Sequence, residues 1–387
     1  MGTLVDDLSN DLVDPLSLGQ KLWQINWGLI FLLLCLVGIG AAMLYSAANG
    51  SFEPWATRHI MRFGIAFAIM LAVALIDIRR WYSLCYLAYF AVLAMLVGVE
   101  FFGQVGMGAQ RWIDLKVIQL QPSELMKVAL VMALARYFHG RSLEEVRGFT
   151  RLLPPLALIL LPVGLVLKQP DLGTALTLLA IGGVMFFVVG VRLWKFALVI
   201  AGGLAAIPIG WQFLHDYQQK RVLTFLNPEN DPLGAGYHIT QSKIALGSGG
   251  VFGKGFMQGS QSHLNFLPEK QTDFIFTMLA EEFGMVGGLF LLLIYAGIIV
   301  YGFAIALRSR NHFGRVLAMG VSANLFFYVF INTAMVMGLI PVVGVPLPMI
   351  SYGGTAMVAV MGSIGLLLSV YVHRDIRIPR QGPGASD

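Results

Sequence analysis

Long apolar runs separated by short polar breaks make up most of the chain, with one exception between about 215 and 273. A helix that crosses a bilayer needs about 20 mostly apolar residues. Ten segments have that character, at about 27–47, 59–77, 82–102, 122–138, 152–167, 172–190, 195–214, 274–305, 314–337 and 351–372. The pattern predicts an all-α, polytopic membrane protein of about ten transmembrane helices, organised as one domain over 1–387. Lys168-Gln169-Pro170-Asp171 splits the fifth run from the sixth, and the eighth is long enough to tilt or to overrun the bilayer.

Composition agrees with the pattern. Of 387 residues, 57% are hydrophobic and only 12% charged, where a soluble domain carries about a quarter charged residues. The net charge of +5 is therefore no sign of nucleic-acid binding. Lysine and arginine gather in cytoplasmic loops and set orientation. Arg79, Arg80, Arg136, Arg141, Arg147, Arg151, Arg192, Lys195, Arg308, Arg310, Arg315, Arg374, Arg377 and Arg380 fall in short loops or the tail on one side. Both termini (1–22 and 374–387) are expected in the cytoplasm and the 215–273 loop outside it. The acidic N-terminal stretch does not read as a cleavable signal. Cys35 and Cys85 lie in apolar runs and suggest no disulfide framework.

The 215–273 loop is rich in turn formers, including Asn227-Pro228, Asp231-Pro232 and the run GSGGVFGKG at 247–255, and shows no obvious structure of its own. Its aromatic residues argue for a packed, functional loop rather than a disordered one.

Ionisable groups at membrane depth are functional candidates, and three groups qualify. The first lies in GAQRWIDLKVIQLQPSELMK, residues 108–127: Arg111 and Trp112 in a short loop, Gln121 at a helix start, then Glu124 and Lys127 on one helix face. This is either an ion pair that fixes packing or a cationic site for a phosphate. The second is Asp171, either a helix cap or a ligand for a cation. The third is LPEKQTDFIF, where Asp273 stands just before an apolar run, as a cap or as a base. Glu281 and Glu282 lie about 12–13 Å further along that helix, too deep to share a proton with Asp273, and read as structural. Other signals fail. GKG at 253–255 lacks the P-loop spacing, the seven histidines have no metal-ligand spacing, and there is no G-x-S-x-G elbow. Pro341, Pro346 and Pro348 exclude helix from GLIPVVGVPLPMISYGGTA, which reads as a rigid loop walling a cavity.

Together these stretches resemble the SEDS family (shape, elongation, division and sporulation proteins). The terminal signature matches through Asn332, Gly338-Leu339, Pro341, Gly344 and Met349 to Ala356, with QPSE and LPE…TDF in support. GAQRWIDL and HLNFLPEKQTDFIF look like the elongation branch, and Val343, where the division branch tends to carry lysine, agrees. The resemblance implies a peptidoglycan glycosyltransferase that polymerises lipid II into β-1,4 glycan strands at the outer face of the bacterial inner membrane. It implies a class B penicillin-binding protein and other elongation-complex membrane proteins as partners, and a divalent cation, Mg or Mn. It makes Asp273 the catalytic base or a metal ligand. Arg111, Trp112, Lys127, Glu124, Gln121, Ser351 and Tyr352 become substrate contacts, with Asp171, Glu269 and Glu281 in support. A lipid II carrier is the rival reading, and a non-catalytic scaffold the third.

Overall fold

In the computed structural model the described residues are 17–106, 109–114, 119–212, 216–227, 235–264, 266 and 269–379. The expectations for Asp6 to Asp14, for the turn formers at 228–234 and for Arg380 lie outside them. In chain order the elements are α1 (Leu18–Gln24), α2 (Trp27–Ala47), α3 (Ala56–Leu75), α4 (Ile78–Phe102), β1 (Gln104–Gly106), β2 (Ala109–Asp114), β3 (Gln119–Leu120) and α5 (Pro122–His139). Then come α6 (Leu143–Arg147), α7 (Leu153–Lys168), α8 (Leu172–Val188), α9 (Leu193–Gln212), α10 (Asp216–Leu226), α11 (Ala235–Ser248) and α12 (Ser260–His263). Three helices close the chain: α13 (Ile275–Arg308), α14 (His312–Val336) and α15 (Gly354–Val372).

Among the described residues, every segment predicted to span is helical over most of its length. Among the described residues, seven helices are long and apolar enough to cross a membrane. Of the other three, α5 carries Glu124, Lys127 and Arg136 within 18 residues. The apolar parts of α8 and α9, Leu172–Val188 and Leu193–Pro208, are shorter than that length. The architecture is that of a polytopic helical membrane protein. Its perimeter is apolar: Phe31, Leu87, Leu293 and Leu307 all stand exposed, which suits a lipid environment and would be a liability in water.

Two apolar clusters fill the bundle. One joins α2, α3, α13, α14 and α15, and the other joins α4, α5, α7 and α8 to α14 and α15. α14 and α15 therefore form the shared middle. α15 is 83% buried against 22% for α3 and for α4, which mark the perimeter. Between membrane helices, close backbone approach through small residues replaces the hydrophobic drive of soluble cores. A Cβ on Gly365 of α15 would lie 2.6 Å from the Met70 carbonyl oxygen of α3, so only glycine allows this contact.

Two features correct the sequence expectation. The 215–273 loop holds the helices α10, α11 and α12. α11 is anchored by Ser242, whose Oγ donates to the Val336 carbonyl at 2.7 Å and pairs with Thr277 Oγ1 at 2.8 Å. Its helicity comes from that tertiary packing, which no local pattern announces. An antiparallel sheet, β1–β2–β3, also interrupts the all-α expectation between α4 and α5.

α13 is 34 residues long and broken at Gly284 (φ 68°, ψ −163°). A break frees backbone groups that must be satisfied elsewhere. Here the 249–257 loop supplies all four partners. Lys254 N–H and Gly255 N–H donate to the carbonyls of Glu281 and Glu282 at 3.1 and 3.0 Å. In return, Met285 and Val286 N–H donate to the carbonyls of Gly250 and Val251 at 3.0 and 3.1 Å. The glycine run at 247–255 is thus a plug for a broken helix.

A Cβ on Gly284 would lie 2.4 Å from Gly253 N and 2.5 Å from the Val251 oxygen, at a positive φ. Gly284→Ala is expected to destabilise the protein by at least about 2 kcal/mol, from backbone strain plus the clash. Thermal unfolding in detergent measures the loss, and faster proteolysis within 249–263 locates it.

Candidate functional site

Asp273 lies in a turn over Glu269 to Phe274 that leads into α13. The turn starts at Glu269, which sits at φ 54°. Thr272 N–H and Thr272 Oγ1 donate to the Glu269 carbonyl at 3.0 and 3.2 Å. The Glu269 carboxylate takes Thr272 Oγ1 at 3.1 Å and Gln271 Nε2 at 3.4 Å. Glu269 is thus spent on holding the turn. The N-cap of α13 is Phe274, with no side-chain cap bond of its own, and Asp273 stands just before it. Asp273 is half-buried.

The proline loop braces this turn from the other side. Asn332, fully buried on α14, donates through Nδ2 to the Asp273 carbonyl at 3.0 Å and to the Val345 carbonyl at 2.8 Å. Ser351 Oγ donates to the Thr272 carbonyl at 2.6 Å while accepting from Leu347 N–H at 2.8 Å. Tyr352 N–H donates to the Gln271 carbonyl at 2.8 Å. Ser351 therefore has its hydroxyl committed to holding the turn, not free for substrate as the sequence suggested. The loop in turn rests on Tyr295, whose hydroxyl donates to the Pro348 carbonyl. It rests also on His59, whose Nε2 lies 3.0 Å from the Met349 carbonyl oxygen. Gly344 (φ 71°) faces the carboxylate: a Cβ there would come within 3.5 Å of Asp273 Oδ2.

Lys270, which the sequence reading passed over, is buried in the same turn and donates to the Ser262 carbonyl at 2.9 Å, tying α12 to it. Burial pushes its pKa below the ordinary lysine value.

Glu124 and Lys127 form an ion pair of 2.7 Å in the first turns of α5, their side chains 5% and 1% exposed. Tyr328 of α14 completes it. Its hydroxyl donates to Glu124 Oε2, and its ring lies 4.0 Å beneath the Lys127 ammonium. The pairing expected from spacing is present, but the expectation that Lys127 faces a phosphate is corrected: the ammonium is enclosed. Tyr328 and Asn332 are one turn apart on α14, about 6 Å along its axis, so the buried pair sits beneath the Asp273 turn. Tyr328 was missed because an aromatic residue in FFYVF reads as lipid-facing or core.

Arg111, on β2, donates to the carbonyls of Gln169 (3.0 Å) and Pro170 (2.5 Å). Its Nη1 lies 3.8 Å from Asp171 Oδ2, and its side chain stays 24% exposed. Asp171 caps α8, accepting from Thr174 N–H at 3.1 Å and from Thr174 Oγ1 at 2.9 Å. The helix cap is therefore its role here. Gly173, two residues after Asp171, packs against Val343: a Cβ would lie 2.8 Å from the Val343 Cβ. Val343 and Gly344 thus stand between the Arg111–Asp171 group and Asp273. Trp112 pairs with Gln104 across the β1–β2 ladder. Gln121 is the N-cap of α5 but makes no side-chain cap bond.

Glu281 is fully buried away from this group. It takes Lys254 Nζ (2.7 Å), Gln261 N–H (2.9 Å), Ser262 Oγ (2.9 Å) and Ser262 N–H (3.2 Å). It anchors the loop that plugs the helix break. Among the described residues no cluster of three His, Cys, Asp or Glu side chains could hold a metal ion.

The cell cycle protein family FtsW/RodA/SpoVE matches residues 24–376. The chain is 44% identical over 349 residues to the peptidoglycan glycosyltransferase MrdB of Escherichia coli K12, covering 89% of this chain and 93% of that one. It is 35% identical over 357 residues to stage V sporulation protein E of Bacillus subtilis, covering 88% and 95%. Among solved structures, a chain of a peptidoglycan synthase complex that coordinates polymerization and crosslinking superposes with TM-score 0.78. That chain is 33% identical, and the match covers 90% of this chain and 98% of it. The rod shape determining protein RodA of Thermus thermophilus gives 0.69 at 32% identity, covering 90% and 97%.

Lys127→Met leaves the Glu124 carboxylate buried without its cation and is expected to cost about 3–5 kcal/mol, whereas Glu124→Gln/Lys127→Met recovers most of that loss. Thermal unfolding of the single and double variants checks it. Equal stability of Lys127→Met and wild type would show that the pair is solvated.

Proposed function

The chain belongs to the FtsW/RodA/SpoVE family of cell cycle proteins, the SEDS family, and from that premise we propose that it is a peptidoglycan glycosyltransferase with Asp273 as its base. It polymerises lipid II into glycan strands during lateral elongation of the cell wall and maintenance of cell shape. It sits in the bacterial inner membrane with both termini cytoplasmic and the Asp273 end facing the periplasm. The distribution of basic residues supports that orientation: Arg310 and Arg374, with Asp375 between them, lie at the opposite end of α13 and α15.

The donor sugar is α-linked to a polyprenyl diphosphate and the product link is β-1,4, so the anomeric carbon inverts once. The acceptor 4-hydroxyl attacks C1, and its proton passes to the Asp273 carboxylate. The bond from C1 to the diphosphate oxygen breaks, and its electron pair leaves with the diphosphate. General-base assistance of this kind is worth about 10²–10⁴-fold.

One observation carries the reading. A half-buried carboxylate stands on a turn that three hydrogen bonds, from Asn332, Ser351 and Tyr352, hold against a rigid loop. A base must keep its position within hydrogen-bond reach of the proton it takes, and this brace provides it. The departing diphosphate calls for positive charge. Arg111 offers a partly exposed guanidinium, while Lys127 acts from inside the bundle through Glu124 and Tyr328.

A divalent cation, Mg or Mn, fits this donor set. Asp273, half-buried at the turn, is the carboxylate that would hold it instead of acting as the base, since Mg²⁺ is commonly held by one or two carboxylates with substrate phosphates. Bound there, it would neutralise charge on the diphosphate. A class B penicillin-binding protein is the proposed partner for crosslinking, a reading supported by the similarity to a chain of a peptidoglycan synthase complex.

Polymerisation of purified lipid II, with the penicillin-binding partner and divalent metal present, tests the proposal. Asp273→Asn is expected to lower the rate by about 10²–10⁴-fold with an unchanged unfolding temperature. Equal polymer from both proteins would remove Asp273 from the reaction, and none from wild type would favour a carrier.

A further inference from the structure

The reaction needs a cation for the lipid diphosphate, yet Lys127 is enclosed and Arg111 is largely engaged by backbone carbonyls and Asp171. Arg62 on α3 is different. Its guanidinium carbon lies 4.5 Å from the centroid of the Tyr352 ring. Among the described residues it makes no hydrogen bond and no ion pair. It is half-buried, and it stands six residues into a helix that crosses the membrane, about 9 Å from the helix start. A charge near the end of an apolar span, with no counter-charge among the described residues, is a candidate partner for a ligand's charge.

Its surroundings say what that ligand is. Met61 and Ile65, on either side of it in sequence, are 64% and 53% exposed on the apolar perimeter. Arg62 itself turns inward. A Cβ on Gly354 would lie 3.4 Å from Arg62 Nε, and Gly353, the N-cap of α15, gives that helix no side-chain cap. The guanidinium and the positive end of a helix dipole thus face one another, an arrangement that an anion between them relieves. Apolar perimeter on one side and paired positive charge on the other match an amphiphile: a long hydrocarbon tail with a phosphate head. The position is also tied to the reaction centre, because Tyr352 N–H donates to the carbonyl of Gln271, two residues before Asp273.

We propose that Arg62, lying over the Tyr352 ring, binds the diphosphate head of the polyprenyl lipid, with its tail along the Met61–Ile65 side of α3. The identity of the lipid rests on the glycosyltransferase reading; the presence of a lipid-phosphate site does not. Guanidinium contacts to a phosphate are charge-assisted and multidentate, so one arginine accounts for a large share of the affinity.

The test is equilibrium binding of undecaprenyl diphosphate to the full-length protein in nanodiscs of zwitterionic lipid, with polymerisation of lipid II measured in parallel. Arg62→Gln is expected to weaken binding roughly tenfold to hundredfold, and Arg62→Lys by less, because a point charge replaces the fork. Tyr352→Leu removes the ring and is expected to weaken binding severalfold. It carries the test together with Arg62→Lys if Arg62→Gln does not fold. Binding by Arg62→Gln within twofold of wild type would overturn the proposal. So would displacement of the diphosphate by an equal concentration of phosphatidylglycerol, which would mark a site for bulk anionic lipid. Arg62-dependent binding by a protein that makes no polymer would uphold the site and remove the glycosyltransferase reading instead.

Discussion

Backbone that is not helical cannot stand unsatisfied at membrane depth, and that constraint shapes the whole Asp273 end of the molecule. Two irregular segments meet there, the 269–274 turn and the 338–353 loop. Each completes the other through Ser351, Tyr352 and Asn332. Neither has enough partners of its own. The loop can be rich in proline because Tyr295 of α13 and His59 of α3 reach its carbonyls. The Asp273 carboxylate thus gains a fixed position as a by-product of satisfying backbone polarity.

Charge follows the same logic one turn deeper. A lone lysine in the bundle would be expensive, and Glu124 with Tyr328 makes Lys127 tolerable. Such a pair adds little net stability over an apolar replacement, but once present it punishes loss of one member. Because Tyr328 and Asn332 share a face of α14, the pair and the brace are two layers of one construction. Arg111 and Asp171 form a third group on the far side of Val343 and Gly344, fixed by the cap of α8.

Much of this was legible in the sequence. Apolar run length located the helices, and Pro122 after Gln121 marked the start of α5. The Glu124–Lys127 spacing gave their pairing as one of two readings, and a cap was one of the roles open to Asp171. What escaped has a common cause. Whether Lys127 looks into a cavity or into protein depends on which helix covers it, and the cover, Tyr328, is about 200 residues away. α11 and α12 owe their form to contacts with α13 and α14, so turn-forming residues around them hid them. The β1–β3 sheet is too short for alternation to show. Arg62 lies at the edge of an apolar run, where an arginine ordinarily reads as a marker of orientation, and its ring partner comes from the other end of the chain.

The plugged break at Gly284 changes what α13 is mechanically. Its first segment, from Ile275 to the break, is a short lever with Asp273 at the tip and the 249–257 loop clamped at the fulcrum. From Gly284 to Asp273 the arm is about 16 Å long, so a tilt of roughly 10° at the fulcrum would carry the carboxylate nearly 3 Å. For the base role proposed for Asp273, a displacement of about 1 Å already matters. The glycine-rich loop therefore fixes the start of the segment that leads back to Asp273. Val251 and Phe252, on that loop, are both exposed, so the fulcrum is open to contact from outside the chain.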